Sequence, residues 1–267
     1  MGFYLNLIRD NDRTLQGVLD AISALDLWPS TAVVRTADHG ELGGSHGGLR
    51  GKGPLPYEQE THVPLVVVHP EYPGGRTCKA VTSHIDLVPT LGGLTNAETQ
   101  HSATALAGLP GRNFTLLLKA PEQASLTAMR PGALFNYVGL WTVDASYMSR
   151  TARDLSEARY VPPFSELRPA MTPRGFISFC FDGRYKFSRY YAPDNFNTPT
   201  TFEELVRNND LELYDLEHDP DEMINLAVDT GANRELILRQ NELLNRLIAR
   251  EVGNNNGTFL PAALRER

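Results

Sequence analysis

Thr36-Ala37-Asp38-His39-Gly40-Glu41 sets a carboxylate beside an imidazole, and a glycine-rich basic loop follows at once: Gly43-Gly44-Ser45-His46-Gly47-Gly48-Leu49-Arg50-Gly51-Lys52-Gly53. A carboxylate and an imidazole can share one divalent cation. Arg50 and Lys52 supply positive charge for an anion, and the glycines let backbone approach a ligand closely. The combination suits metal-assisted chemistry on an oxyanion ester. No single member would suffice: Asp-His-Gly after a strand is more often a turn or a cap, and Lys52 or His46 taken singly reads as a surface group.

The elements that must position these residues are legible from the pattern. Thr31-Ala32-Val33-Val34 is short, β-branched and apolar, which predicts a buried strand parallel to its neighbours. Asp38 and His39 would emerge beyond its carboxyl end, where open α/β sheets bind ligands. Leu15, Val18, Leu19, Ile22 and Leu25 fall at helical spacing, with Asn11 or Asp12 as the cap. A second strand is expected at 64–69 and a helix from His84 to Leu94. A long connection is expected over 95–131 with some helix near 114–119, and strand-like pattern over 132–143.

Charges and prolines interrupt any period over 145–175, which predicts an irregular excursion. Two aromatic-rich runs, 176–181 and 184–191, flank Asp182-Gly183 and predict a hairpin, with a third strand at 211–216. Phe176, Phe179, Phe181, Tyr185, Phe187, Tyr190 and Tyr191 read as core packing rather than a ligand platform, and Lys186 and Arg189 as solvated charges. Asp219-Pro220-Asp221-Glu222 has the residue types of a capping-box helix start. A helix over about 233–251 would back the sheet through Leu236, Leu243, Leu244, Leu247 and Ile248.

The order of motifs carries a resemblance. Asp-His-Gly-Glu at 38–41, His-Gly at 46–47, then Lys52, Tyr57-Glu58 and Val63-Pro64-Leu65 resembles the C-terminal half of type I sulfatases in the alkaline phosphatase superfamily. Ser83-His84-Ile85-Asp86-Leu87-Val88-Pro89-Thr90-Leu91 resembles their helix-opening segment. Glu212-Leu213-Tyr214-Asp215-Leu216 with Asp219-Pro220 and Asn225-Leu226-Ala227 resembles their C-terminal subdomain. The implied fold is α/β, a partial alkaline-phosphatase-like mixed sheet flanked by helices over 1–131, then an antiparallel sheet with a packed helix over 132–267. The implied activity is metal-dependent hydrolysis of sulfate esters.

In that resemblance Asp38 and His39 are metal ligands, Lys52 contacts the sulfate and its bridging oxygen, Arg50 aids substrate binding, and His46 lies at the catalytic site. Calcium is the first expectation for the ion. His39 stands where many sulfatases have asparagine, which resembles the choline sulfatase and phosphonate monoester hydrolase branch and admits manganese or zinc. Two alternatives stay open, a phosphonate or phosphate diester hydrolase and a non-catalytic remnant. The family's Cys/Ser-x-Pro-x-Arg motif, source of the formylglycine nucleophile, matches neither Cys78 nor Cys180. The resemblance therefore implies a C-terminal fragment, inactive alone, whose partners are a small-molecule or carbohydrate sulfate ester and the N-terminal sulfatase half.

Composition bounds the rest. With 267 residues and 41% hydrophobic content the chain can bury a substantial core. A formal charge of −7 argues against a nucleic-acid surface. Two cysteines, Cys78 and Cys180, make neither a disulfide framework nor a metal-ligand spacing. No apolar stretch approaches a membrane span, and the cellular compartment stays open.

Overall fold

The longest apolar alternations in the chain lie in its last hundred residues, and the largest core forms there. In the computed structural model, which describes residues 2–95, 104–157, 168–195, 198–258, 260 and 264, the chain divides into two units of mixed α and β structure. The first comprises residues 1–51, 59–79 and 85–124, the second 52–58, 80–84 and 125–267.

In the first unit, helix α1 (Gly2–Ala24) precedes strand β1 (Val33–Thr36), which pairs with β2 (Leu65–Val68) in a two-stranded sheet. Helix α2 (Leu87–Leu94) follows a 3-10 turn, His84–Asp86. Three expectations need correcting. The α1 helix begins at Gly2, well before Asn11 and Asp12, and buries no residue. Strand β1 runs antiparallel to β2, not parallel, with Val33 opposite Val68 and Thr36 opposite Leu65. Neither strand is fully buried: Val66 and Val68 are 47% and 44% exposed, and the alternating burial of β2 leaves one face of the ribbon open. The turn into α2 is firmly held. Asp86, fully buried, accepts the Arg112 N–H at 2.7 Å, and Thr90 Oγ1 accepts the Phe114 N–H at 3.1 Å.

The second unit is a four-stranded antiparallel sheet. Strands β3 (Ala133–Tyr137), β4 (Phe176–Phe181), β5 (Tyr185–Tyr191) and β6 (Asp210–Asp215) pair in sequence order, with helix α3 (Ala145–Ser156) between β3 and β4, α4 (Phe202–Asn208) between β5 and β6, and α5 (Arg234–Glu251) closing the chain. Where an irregular excursion was expected, α3 forms because Asp144 Oδ1 accepts the N–H groups of Ser146 and Tyr147, both at 2.9 Å, capping its first turn. The parts of the expected connection and excursion at 96–103 and 158–167 lie outside the described residues. The expected strand over 132–143 stops at Tyr137, and Leu140–Val143 coils into one helical turn.

The β4–β5 hairpin turns at Asp182-Gly183 as expected, with Gly183 at φ +103 and Asp182 Oδ1 accepting the N–H groups of Arg184 and Tyr185. Arg184 locks the turn to β6: its guanidinium forks onto both Asp215 oxygens at 2.9 and 2.6 Å, which holds the Asp215 carboxyl down to about 2. Asp219-Pro220-Asp221-Glu222 makes a turn, not the expected helix start. Asp219 accepts the Met223 and Ile224 N–H groups, and Glu222 adopts φ +53.

Alternation sorts the sheet into two buried faces. On one, Cys180, Phe187 and Leu213 pack with Ile237, Leu243, Leu244, Leu247 and Ile248 of α5. Their spacing along α5 forms the helical stripe the sequence predicts. Arg189 lies on this face at 0% exposure, bonded to Asn241 and Asn245 at 2.6 and 2.8 Å, so it is not a solvated charge. The other face carries Phe135 stacked on Phe179 with ring centroids 4.8 Å apart, together with Lys186, Tyr190, Glu212 and Tyr214. Lys186, 1% exposed, is not solvated either.

Burial raises the Glu212 carboxyl to about 7, with the Tyr190 hydroxyl opposing the rise and the Glu222 charge adding to it. Below the unfolded carboxyl value both states hold the proton and nothing is lost. As pH rises towards 7 the unfolded chain releases its proton while the fold retains it, so stability falls, by on the order of 3 kcal/mol in all. Glu212→Gln should therefore match the wild type at pH 4 and exceed it at pH 8, read from urea midpoints at the two pH values.

Candidate metal and anion site

Directly after β1 the chain must turn sharply without a partner strand of its own, and Gly40 is what permits it. The Gly40 N–H donates to Glu60 O at 2.7 Å and the Glu41 N–H to Gln59 O at 2.9 Å. A Cβ on residue 40 would lie 2.0 Å from Gln59 O, so only glycine lets the two backbones approach. The following loop is closed on itself. Leu42 N–H donates to Gly51 O at 3.0 Å and Gly44 N–H to Leu49 O at 2.7 Å, while Glu41 Oε1 accepts the Gly43 and Gly51 N–H groups. This loop is therefore ordered by its own backbone, with His46 itself in the left-handed region at φ +48.

Asp38 and His39 are brought together. His39 Nδ1 lies 2.7 Å from Gly40 O, and a carbonyl can only accept, so Nδ1 carries the proton and Nε2 of the neutral ring keeps its lone pair. His39 Nε2 lies 3.3 Å from Asp38 Oδ2, a spacing that suits either a proton on Nε2 or a cation shared by the two atoms. Ligands at about 2.0–2.5 Å from one ion and near a right angle stand about 3 Å apart. A ring nitrogen fixed by a backbone carbonyl is also the usual outer support of a metal-binding histidine. With Asp38 86% exposed and His39 36%, the donor pair fits a divalent cation.

The remaining predicted residues are placed separately. His46 Nε2 meets Gln59 Oε1 at 3.2 Å, and it does not join Asp38 and His39 in a three-ligand group. Arg50 is exposed at the end of the closed loop, and Lys52, also exposed, begins the segment Lys52–Glu58 that is counted with the second unit. Among the described residues, one trio of ligand-type side chains converges, Asp215, Glu217 and His218. The Arg184 guanidinium already neutralises it, reaching Glu217 at 2.8 Å as well as Asp215. It is a salt-bridge network.

Sequence reasoning missed a buried ionic group in the second unit. Lys186 Nζ donates to Pro56 O at 2.9 Å and to Glu58 Oε1 at 2.6 Å, and forms an ion pair with Glu222 Oε1 at 2.8 Å. Glu58 had been read only as part of a motif, and its partners stand more than a hundred residues away in sequence.

The sequence profile of the family described as Sulfatase matches residues 1–97, the stretch that contains the whole loop and the Asp38–His39 pair. Arylsulfatase K of Gallus gallus is 30% identical over 166 residues, which is 60% of this chain and 30% of that protein. Over residues 1–97 the chain is thus similar to the sulfatase family. The sulfatase YidJ of Escherichia coli (strain K12) is 37% identical over 93 residues, 35% of this chain and 17% of its own length. The chain thus spans less than a third of the curated relatives it matches.

Solved structures agree on the fold. One protein, solved in complex with its substrate D-glucosamine-2-N,6-O-disulfate, superposes with TM-score 0.65 at 17% identity, covering 93% of this chain and 40% of its own. The phosphonate monoester hydrolase of Agrobacterium radiobacter superposes with TM-score 0.58 at 23% identity, covering 90% and 39%. The α/β class with a C-terminal antiparallel sheet is the fold these proteins share.

Gly40→Ala should cost at least the about 1–3 kcal/mol of an overpacked core, because the clash is with backbone that cannot rotate away. Hydrogen exchange at the Gly40 and Glu41 amides, slow in the wild type, should become fast in this variant.

Proposed function

We propose that this chain is part of a sulfatase and supplies the metal- and anion-binding portion of a sulfate-ester hydrolase. Asp38 and His39 hold a divalent cation, Lys52 binds the sulfate and steadies charge on the departing oxygen, and Arg50 adds positive charge for the anion. The carrying observation is the Asp38–His39 pair itself: Nε2 stands 3.3 Å from a carboxylate oxygen, with the opposite ring nitrogen tied to Gly40 O. Once bound, the cation would supply Lewis acidity towards a sulfate oxygen. Lys52 acts by charge that counts most where negative charge develops. His46, pinned to Gln59, shapes the loop beside the site.

The nucleophile is assigned to a sulfatase N-terminal half. Cys180 cannot serve, since it is fully buried and its thiol is pushed far up by that burial. The first unit supports such a partner: α1 buries nothing, and Phe3, Leu5 and Leu7 are 78%, 56% and 49% exposed. These apolar groups match a surface that would complete a core. In the source cells, a native protein containing peptides of 36–69 and well above 29.6 kDa supports this arrangement. A mass equal to the chain alone would overturn it.

The substrate is proposed to be a small-molecule or carbohydrate sulfate ester. The phosphonate monoester hydrolase neighbour, together with histidine at position 39, favours a second reading as a phosphonate or phosphate diester hydrolase. Turnover of 4-nitrophenyl sulfate against 4-nitrophenyl phenylphosphonate, under calcium and under manganese, separates the two. In the complete enzyme Lys52→Ala should lower sulfate-ester kcat by about 10²–10³-fold; unchanged turnover would remove Lys52 from the site.

Metal preference gives an independent check on the chain itself. His39→Asn replaces a nitrogen donor by an amide oxygen, so titration calorimetry should show manganese affinity falling relative to calcium. Asp38→Asn should weaken both ions.

A further inference from the structure

We propose that Lys186 positions Lys52 by clamping the strap Lys52–Glu58 that carries it. The inference rests on the reading of Lys52 as the anion-binding residue. Lys186 donates two hydrogen bonds to the strap, to Pro56 O and Glu58 Oε1, and pairs its charge with Glu222 Oε1 at 2.8 Å. Glu222, at 0% side-chain exposure, then accepts the Glu58 N–H with its other oxygen at 2.7 Å. Glu58 is thereby held by backbone and side chain together.

The strap has little slack between clamp and lysine. Pro54 and Pro56 fix two of its φ angles, and Pro56 is buried. Tyr57 packs its ring against Tyr214 of β6 at 6.3 Å. Core packing alone would be served by an apolar side chain at 186, without the several kcal/mol that desolvating an ammonium costs. What an apolar side chain cannot do is hold a carbonyl and a carboxylate on one short segment. The lefthanded backbone of Glu222 points the same way, since that strained φ delivers its carboxylate to the clamp. Lys186 is thus a positioning residue that acts through Lys52.

The first test uses the 267-residue chain. Hydrogen exchange of the 52–58 segment should quicken at least tenfold in Lys186→Met and in Glu58→Gln. The Glu58→Gln variant leaves the Lys186–Glu222 pair intact, so it should keep the exchange pattern of β4 and β5. Unchanged exchange in the strap of a folded Glu58→Gln variant overturns the proposal.

The second test is kinetic, on the complete enzyme with 4-nitrophenyl sulfate. Glu58→Gln should lower kcat about 10–100-fold with KM nearly unchanged, and should have no further effect in a Lys52→Ala background. A full additional loss in that background overturns the proposal. If Lys52→Ala costs nothing while strap exchange still quickens, the catalytic reading of Lys52 has failed and the clamp stands.

Discussion

A lysine ammonium at 1% exposure survives only if its charge is answered inside the fold, and at Lys186 the answer comes from two distant parts of the sequence, the segment at Pro56 and Glu58 and the turn at Glu222. Desolvating it costs several kcal/mol, and losing one partner from such a group typically costs about 3–5 kcal/mol. The second unit is arranged around satisfying it. Strand alternation puts Lys186 on the face opposite α5, the turn after β6 takes a left-handed residue to bring in Glu222, and the strap runs close enough to offer Pro56 O. One ammonium faces two carboxylates, and the Glu58 N–H completes the balance by donating to Glu222.

The two halves of the proposed chemistry are built by different means. Asp38 and His39 are sequence neighbours, and their geometry follows from local backbone: a tight turn at Gly40 and a ring nitrogen tied to the next carbonyl. Such a site needs little from the rest of the fold beyond the Gln59 and Glu60 carbonyls that accept from 40 and 41. Lys52 opens a segment whose far end is held by side chains distant in the sequence, Lys186 and Glu222, so long-range contacts order the stretch that follows it.

That difference explains what could be read from sequence. Local signals were legible: the Asp182-Gly183 hairpin, the α5 stripe and the metal-capable pair each declare themselves within a few residues. Misreadings arose where a distant partner decides the outcome. Lys186 and Arg189 look like surface charges in an alternating strand, but Glu58, Glu222, Asn241 and Asn245 reward their burial. Asp219-Pro220-Asp221-Glu222 has the residue types of a capping box, yet Glu222 is worth more to Lys186 than to a helix terminus. The parallel expectation for β1 failed for a related reason: a Val-rich strand fits either direction, and pairing is set by the chain that returns beside it.

The two half-buried acids of β6 also divide by role. Asp215 is held ionised by the Arg184 fork, so it can latch the hairpin at any pH the fold tolerates above its low value. Glu212 lies on the Lys186 face without a guanidinium of its own, and burial drives it towards the neutral form. Keeping Glu212 protonated spares the face another negative charge beside Glu222, and burial holds the Tyr190 and Tyr214 hydroxyls in their neutral forms as well. The single ammonium is then answered by Glu58 and Glu222 rather than by a crowd of carboxylates, and its bonds stay directed at the strap.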